Sequence, residues 1–331
     1  MSSMSRAAKG FTLIELMVSM ALGIVLTGGV ATLFLENSTN FAQDNEMARI
    51  QENGRYAMRT LARELSMAGF MGRYINVDKV LTTTITDIDQ CGDDWAVNFD
   101  VHLEHENNIL ADADLYGGCI AEEDQLAGTD VLVIKRVADT ASLVNGELTA
   151  STTIDDDLVY LRAVNQGHSM NLVNGSVFST DDITAGSAVD AWEYRPVIYF
   201  VRNYSTVVGD GIPTLCRVVL NGDEDGSGSP DMSTEADEGD CFVEGIENIQ
   251  IEYGIDSDAD GTPNQYSADP ADVDNIVSAR IYILARSVGS VRNYTNDKVY
   301  NLGGVTVAAA GDRFMRKVFS TTVVLRNPYN L

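Results

Sequence analysis

The sequence has few basic side chains and little proline. It holds 22 Lys and Arg against 49 Asp and Glu, and only 6 prolines in 331 residues. The formal charge of −27 would repel a phosphate backbone, which excludes a basic nucleic-acid binder without a strongly local patch. The 45% apolar content excludes a disordered acidic tail, and the length is that of one large or two small domains.

Familiar catalytic signatures are also missing. The chain has no G-x-S-x-G elbow, P-loop or H-E-x-x-H motif, and none of its four cysteines has C-x-x-C spacing. An extended segment would point His102 and His105 to opposite faces, so we expect a solvated loop there and no metal site. His168 is isolated in the sequence. These absences favour a non-enzymatic protein that requires no cofactor.

The apolar residues are concentrated near the N-terminus. Residues 11–35 form a 25-residue stretch whose only ionisable side chain is Glu15, and a helix of this length spans a bilayer. Arg6 and Lys9 precede it and predict that the N-terminus is cytoplasmic. A cleaved secretory signal is one alternative, but its A-x-A site is poor. A plain membrane anchor is another, but it leaves unexplained a carboxylate that costs about 2.5 to 3.5 kcal/mol in the membrane.

The run Gly10-Phe11-Thr12-Leu13-Ile14-Glu15, between a short basic leader and an apolar helix, resembles the class III signal of type IV prepilins. The resemblance implies that a prepilin peptidase cuts between Gly10 and Phe11 and methylates the new amino group of Phe11. Gly10 has no side chain, so a peptidase can approach its backbone closely. The freed amino group is a cation that Glu15 can neutralise, on the same or a neighbouring subunit.

An amphipathic pattern continues the helix to about Gly69. Seven small or apolar residues follow steps of three and four: Met47, Ile50, Gly54, Ala57, Leu61, Leu65 and Ala68.

Residues 48–57 and 61–72 resemble the PilW family of minor pilins, and the resemblance resumes at 128–134, 243–254 and 319–327. We therefore divide the chain into a leader (1–10), a transmembrane half-helix (11–35), an amphipathic half-helix (36–72) and a globular head (73–331).

The head has the pattern of an antiparallel β protein. Apolar and alternating runs separated by Gly, Asn and Asp predict strands at 131–137, 158–164, 197–203, 215–220, 249–255, 279–286 and 318–326. No long helical pattern separates them, which favours antiparallel pairing. The predicted fold class is α+β: a type IV pilin-like long helix packed on an antiparallel β head.

All four cysteines follow the membrane segment, and so fall in an oxidising compartment if that orientation holds. Four cysteines allow three pairings, which the sequence alone does not separate. Proximity along the chain favours Cys91 with Cys119 and Cys216 with Cys241.

Two acidic loops follow the spacing of the first half of a calcium loop. One carries Asp256, Asp258, Asp260, Thr262 and Asn264, and the other carries Asn221, Asp223 and Asp225. Both lack the bidentate glutamate at the twelfth position, where Ser267 and Met232 stand. A solvated acidic turn is the competing interpretation of each loop.

These features predict a minor pilin of the PilW kind. The resemblance implies that it primes pilus assembly, sits at the tip with other minor pilins and a PilY-type adhesin, and contacts the major pilin, the prepilin peptidase and the inner-membrane assembly machinery. The head would be periplasmic before assembly and extracellular afterwards. A J-type minor pseudopilin of a type II secretion system is the nearest alternative, and a membrane-anchored periplasmic binding protein or enzyme is the alternative from another class.

Overall fold

One helix dominates the N-terminal fifth of the chain. The computed structural model describes residues 10–74, 80–83, 85, 94–98, 101–110, 115–116, 119–120, 124–149, 153–167, 169–220, 241–270, 273 and 275–327. Helix α1 spans Leu13–Met67, 55 residues, close to the predicted end at Gly69. It stops where Gly69 takes a φ of +71°, a conformation that glycine adopts without the penalty of a Cβ.

Sixteen strands follow α1 in the described parts of the chain. Their bounds are β1 Val80–Thr83, β2 Leu103–Glu106, β3 Val131–Val137, β4 Leu143–Val144, β5 Glu147–Leu148, β6 Val159–Val164, β7 Ser169–Asn174, β8 Val189–Arg202, β9 Thr214–Val219, β10 Cys241–Glu244, β11 Ile246–Ile255, β12 Gln265–Ser267, β13 Ile276–Arg286, β14 Tyr300–Leu302, β15 Val305–Val307 and β16 Arg316–Val324. All seven predicted strands are present, so the α+β class is confirmed.

The strands form two main sheets and a small hairpin. The larger sheet has ten strands, with β1-β7-β6-β8-β3-β2 along its main path and β4, β5, β9 and β10 off it. The second sheet has the order β12-β11-β13-β16, and β14 pairs with β15. Strand β8 is twice as long as predicted, because its first half pairs with β6 and its second half with β3 and β9.

One pair departs from the predicted antiparallel pattern. Among the described strands, β1 runs parallel to β7, and every other pair is antiparallel. Parallel neighbours need a long connection between them, and about 85 residues separate these two strands in the sequence. Such a pairing is set by tertiary contacts and leaves no local signal.

The largest hydrophobic core lies between α1 and both sheets. It joins Ile50, Leu61 and Leu65 of the helix to strands β11 and β13 and to the face of β3 and β8. Gly54 allows α1 to approach β16 closely, because a Cβ there would overlap the Phe319 ring. The second half of α1 is therefore an integral part of the head.

The predicted solvated loop at His102 and His105 is wrong. His102 is 1% exposed, and its ring lies against the end of α1 at Gly69. His105 packs on Tyr253, and its Nε2 lies 3.0 Å from Asp130 Oδ2. His102 thus fills space at the end of α1, and His105 lies between β2 of the larger sheet and β11 of the second sheet. The sequence around them shows only charged neighbours, which is why it predicted a solvated loop. His168 lies outside the described residues.

Candidate assembly site on the N-terminal helix

The N-terminus of α1 presents the residues of the predicted processing signal to solvent. Gly10 and Phe11 precede the helix, and Phe11 is 86% exposed. A Cβ built on Gly10 would meet no atom within 4 Å, so the peptide bond after it is open to an approaching protein. This geometry suits cleavage between these two residues, which stays a prediction.

Glu15 forms a capping box with Thr12. Its Oε2 accepts hydrogen bonds of 3.0 Å from the backbone N–H and from the hydroxyl of Thr12. The Thr12 hydroxyl in turn accepts from the Glu15 N–H at 3.3 Å. The carboxylate is thus hydrogen-bonded to the residue that follows Phe11, whose amino group is the one that cleavage would free. The sequence signal for this cap is Thr-x-x-Glu before an apolar run.

The first half of α1 has no partner within the described parts of the chain. Its most apolar window has a mean hydropathy of 2.1, and none of that window is buried. By length and composition it is the one described helix able to cross a membrane. Large side chains such as Ile24 and Phe34 are 74% and 72% exposed. An apolar surface of this extent requires lipid or neighbouring helices.

Polar contacts fix the second half of α1 in the head. The Arg136 guanidinium of β3 donates to both carboxylate oxygens of Glu64, at 2.8 and 2.9 Å. Both side chains are about one-tenth exposed. Asn53 Nδ2 donates to the backbone oxygen of Glu244 at 2.9 Å. The helix direction, and therefore the direction of the apolar half, is set by the head.

A disulfide bond also holds strands β9 and β10 together beside this helix. Cys216 and Cys241 are directly opposite each other in the two strands and are bonded, which agrees with the favoured pairing. Cys119 is disulfide-bonded as well. Cys91 lies outside the described residues, so its predicted bond with Cys119 stays a prediction.

The acidic loop between β11 and β12 gathers three carboxylates. Asp256, Asp258 and Asp260 each offer one oxygen, and these oxygens lie within 4.8 Å of one another. Such a set of hard oxygen ligands suits calcium. The other two predicted ligands are already hydrogen-bonded within the loop. The Thr262 hydroxyl donates to Asp260 Oδ1, and Asn264 Oδ1 accepts from the Ser257 N–H at 2.6 Å.

Hydrogen bonds within this loop also fix its conformation. Asp256 Oδ2 accepts from the Gly261 N–H at 2.7 Å, and its Oδ1 accepts from the N–H groups of Asp258 and Asp260. Desolvation alone would raise the pKa of Asp256, but these bonds to the carboxylate lower it below its ordinary value. The second predicted calcium loop, with Asn221, Asp223 and Asp225, lies outside the described residues.

Helix α1 is exposed and apolar in its first half and packed into a β-rich head in its second, which is the architecture that the resemblance to type IV prepilins predicts. Residues 5–31 match the prokaryotic N-terminal methylation motif, and residues 198–327 match the family model of the type IV pilus-assembly protein W, PilW. The chain is therefore a type IV pilin-like protein with a PilW region and an N-terminal methylation motif, as the resemblance to PilW-family class III prepilins implied. Of the stretches in which the sequence resembles PilW, residues 243–254 and 319–327 lie inside the range that matches the PilW model. Residues 48–57, 61–72 and 128–134 lie outside that range.

A solved type IV-like pilin from Thermus thermophilus is 12% identical, with a TM-score of 0.35 over 85% of this chain and 99% of the other. No curated protein sequence matches the chain. The methylation motif and the apolar helix fit membrane anchoring and association with a pilus, and a type IV pilus-assembly protein has pilus-related partners in general. Pilins are structural subunits, not enzymes.

Proposed function

We propose that this chain is a non-enzymatic minor pilin that primes assembly of a type IV pilus. The prepilin peptidase cuts between Gly10 and Phe11 and methylates Phe11, and the apolar half of α1 then passes from the inner membrane into the filament. The observation that carries the proposal is the continuous 55-residue helix, which is unburied in its apolar half and built into the head in the other. A plain anchor would not need this rigid connection.

The size of the head supports a position at the pilus tip. Residues 73–331 are more than an ordinary domain, and a head of this size would crowd its neighbours in a closely packed shaft. At a tip it has free space. There it would meet other minor pilins and a PilY-type adhesin, with the major pilin below it, after leaving the periplasmic side of the assembly machinery.

Glu15 gives a direct test of this function. Glu15→Ala removes the carboxylate that would neutralise the Phe11 amino group, so we expect a folded, processed protein that fails to support piliation. Thr12→Val is the matched control, because it removes the capping hydroxyl and keeps the carboxylate. Normal piliation by Glu15→Ala, measured on sheared filaments, would refute the assembly role. Assembly of a secretion pseudopilus instead of a surface pilus would favour the J-type pseudopilin.

A further inference from the structure

Strand β16 is the longest edge strand in the described parts of the chain. It spans Arg316–Val324, nine residues, at the end of the order β12-β11-β13-β16. The other edge strands among the described residues, such as β2 and β10, have two to four residues. An edge strand presents backbone groups with which another strand can pair, so a long one is a candidate binding site.

The backbone groups of β16 alternate between β13 and the open side of the sheet. The Leu325 N–H donates to the Val277 oxygen at 3.0 Å just beyond one end of β16. Together with the unbroken register between the two strands, this bond shows that the odd-numbered residues of β16 bond to β13. The even-numbered residues turn their N–H and C=O groups to the open side, where no described strand pairs with them. They are Val318, Ser320, Thr322 and Val324.

The elements that pack on β16 cover its two faces and do not pair with its edge. The Phe319 ring lies against α1 at Gly54, and Val318 packs with the β14–β15 hairpin on the opposite face. Ser320 and Thr322 are exposed, and Val324 is 68% exposed. Most of the outward-facing part of the strand is therefore open to an added strand.

Sequence features that usually prevent pairing at an edge are missing from β16. Residues 318–325 contain no charged residue, proline or glycine. All nine residues of β16 pair with β13 in one register, without a bulge. Strand β11, on the other side of β13, has two irregularities in its pairing. The open edge of β16 is thus regular and rich in β-branched residues, as a strand that accepts another strand must be.

The ends of β16 are basic in a chain that is otherwise acidic. Residues 313–331 contain four basic side chains and no acidic one, whereas the whole chain has a formal charge of −27. Arg316 is paired with carboxylates of β11 and of the preceding loop. No described carboxylate lies within 4 Å of Lys317, at one end, or of Arg326, just past the other. An added strand would therefore meet positive charge at both ends of the edge.

We infer that the open edge of β16 binds an extended, carboxylate-bearing segment of another protein by strand addition. Backbone hydrogen bonds supply the affinity, and the basic ends select acidic residues at the ends of the added segment. A second copy of this chain is a poorer occupant, because antiparallel pairing of two β16 strands sets the basic end of each against that of the other. The edge lies wholly in the head, so this site does not depend on the proposed function.

Fluorescence anisotropy of a labelled peptide tests the site on the detergent-solubilised full chain. The peptide alternates valine and threonine and has glutamate at both ends. One matched peptide has methyl groups on its backbone nitrogens, which removes the donors for strand pairing, and another has lysine in place of glutamate. Thr322→Pro removes an outward N–H and places a ring on the open side, while Thr322→Val keeps the N–H. Proline is tolerated where the N–H of an edge strand faces solvent, so we expect Thr322→Pro to fold.

The glutamate-ended peptide should bind the unaltered chain and Thr322→Val alike, and Thr322→Pro should weaken binding more than about tenfold. The methylated peptide should not bind, which makes the same comparison without changing the protein. Lys317→Gln/Arg326→Gln should weaken binding, whereas Arg73→Gln/Arg217→Gln, an equal change in net charge at two exposed arginines beside the larger sheet, should not. No binding to the unaltered chain, equal binding by Thr322→Pro, or equal binding of the methylated or lysine-ended peptide would overturn the inference.

Photo-crosslinking in cells identifies the natural occupant. With benzoylphenylalanine in place of Ser320, we expect a crosslink to a segment of another protein that has Asp or Glu at its ends, and we expect Thr322→Pro to remove that crosslink. A crosslink to a second copy of this chain, or to a segment without acidic residues, would overturn the choice of occupant. The proposed function would stand in each case, because it depends on α1 and its processing and not on this edge.

Discussion

Arg136 in β3 holds Glu64 of α1 by two hydrogen bonds, across 72 residues of sequence. Both side chains are about one-tenth exposed, so the pair lies in the boundary between helix and sheet. Removing one member leaves the other charged and desolvated. This contact is the main ionic link among the described residues between the membrane-directed helix and the head.

Glu64→Gln should lower the free energy of unfolding by about 3 to 5 kcal/mol, because Arg136 then lacks its anion. Replacing both residues, as Glu64→Leu/Arg136→Met, should cost less than either single change. Denaturant unfolding of the detergent-solubilised chain measures both effects. Arg63→Gln is the control, since its exposed pair with Asp139 contributes below about 1 kcal/mol. Equal small losses in all variants would show that the pair does not fix the helix.

Gly54 and Phe319 should show strong coupling in a double-mutant cycle. Gly54→Ala gains about 1 kcal/mol of helix propensity but places a Cβ 2.2 Å from the Phe319 ring, and overpacking costs about 1 to 3 kcal/mol. The single change should therefore destabilise the chain. In a Phe319→Ala background the same change should stabilise it, because the ring is gone. Additive effects in the two backgrounds would contradict the close approach of α1 to β16.

Buried His102 should make the chain less stable in mild acid. Desolvation lowers its pKa to about 4, and the nearby Lys135 ammonium lowers it too. The folded-state pKa is below the unfolded value of 6.5, so this stability is present above pH 6.5 and is lost as the pH falls towards 4. The loss attributable to His102 between pH 7.5 and pH 4 should be about 3 kcal/mol.

His102→Gln isolates that loss from the titration of carboxylates. The variant has no imidazole to protonate, so its curve of unfolding free energy against pH should be flatter than that of the unaltered chain between pH 6.5 and 4. Parallel curves would show that His102 titrates normally in the folded state.

The loop at Asp256, Asp258 and Asp260 should bind calcium weakly, since it lacks a bidentate glutamate. Calorimetry on the detergent-solubilised chain should show a heat of calcium binding, and a chelator should lower the melting temperature. Asp258→Asn/Asp260→Asn keeps Asp256, which accepts the loop's backbone hydrogen bonds, and should abolish the heat without unfolding the loop. If the unaltered chain gives no heat and no shift in melting, the loop is the solvated acidic turn.

Much of the fold was predictable from local pattern. The helix ended within two residues of the expected position because glycine marks it, and strands such as β3 and β13 follow apolar or alternating runs. Residues whose environment depends on distant partners were not predictable. Lys135 and Arg136 lie buried near the C-terminal end of β3 because Glu104 and Glu64 reach them from other elements. Burial of His102 and the parallel pairing of β1 arise in the same way.

The residues of the candidate site were predictable where they depend on local sequence. Gly10, Phe11 and Glu15 form a contiguous motif, so their place before and within the first turn of α1 could be predicted. The capping partner Thr12 could have been found from its spacing to Glu15.

The mature N-terminus tests the central claim most directly. Intact-mass and peptide mass spectrometry of the chain purified from the membrane of cells with an active prepilin peptidase should identify a first residue of N-methylated Phe11. Gly10→Val should block the cut, whereas Gly23→Ala, in the exposed apolar helix, should leave it unchanged. A chain that begins at Met1, or one cut elsewhere and unmethylated, would contradict its assignment as a processed pilin.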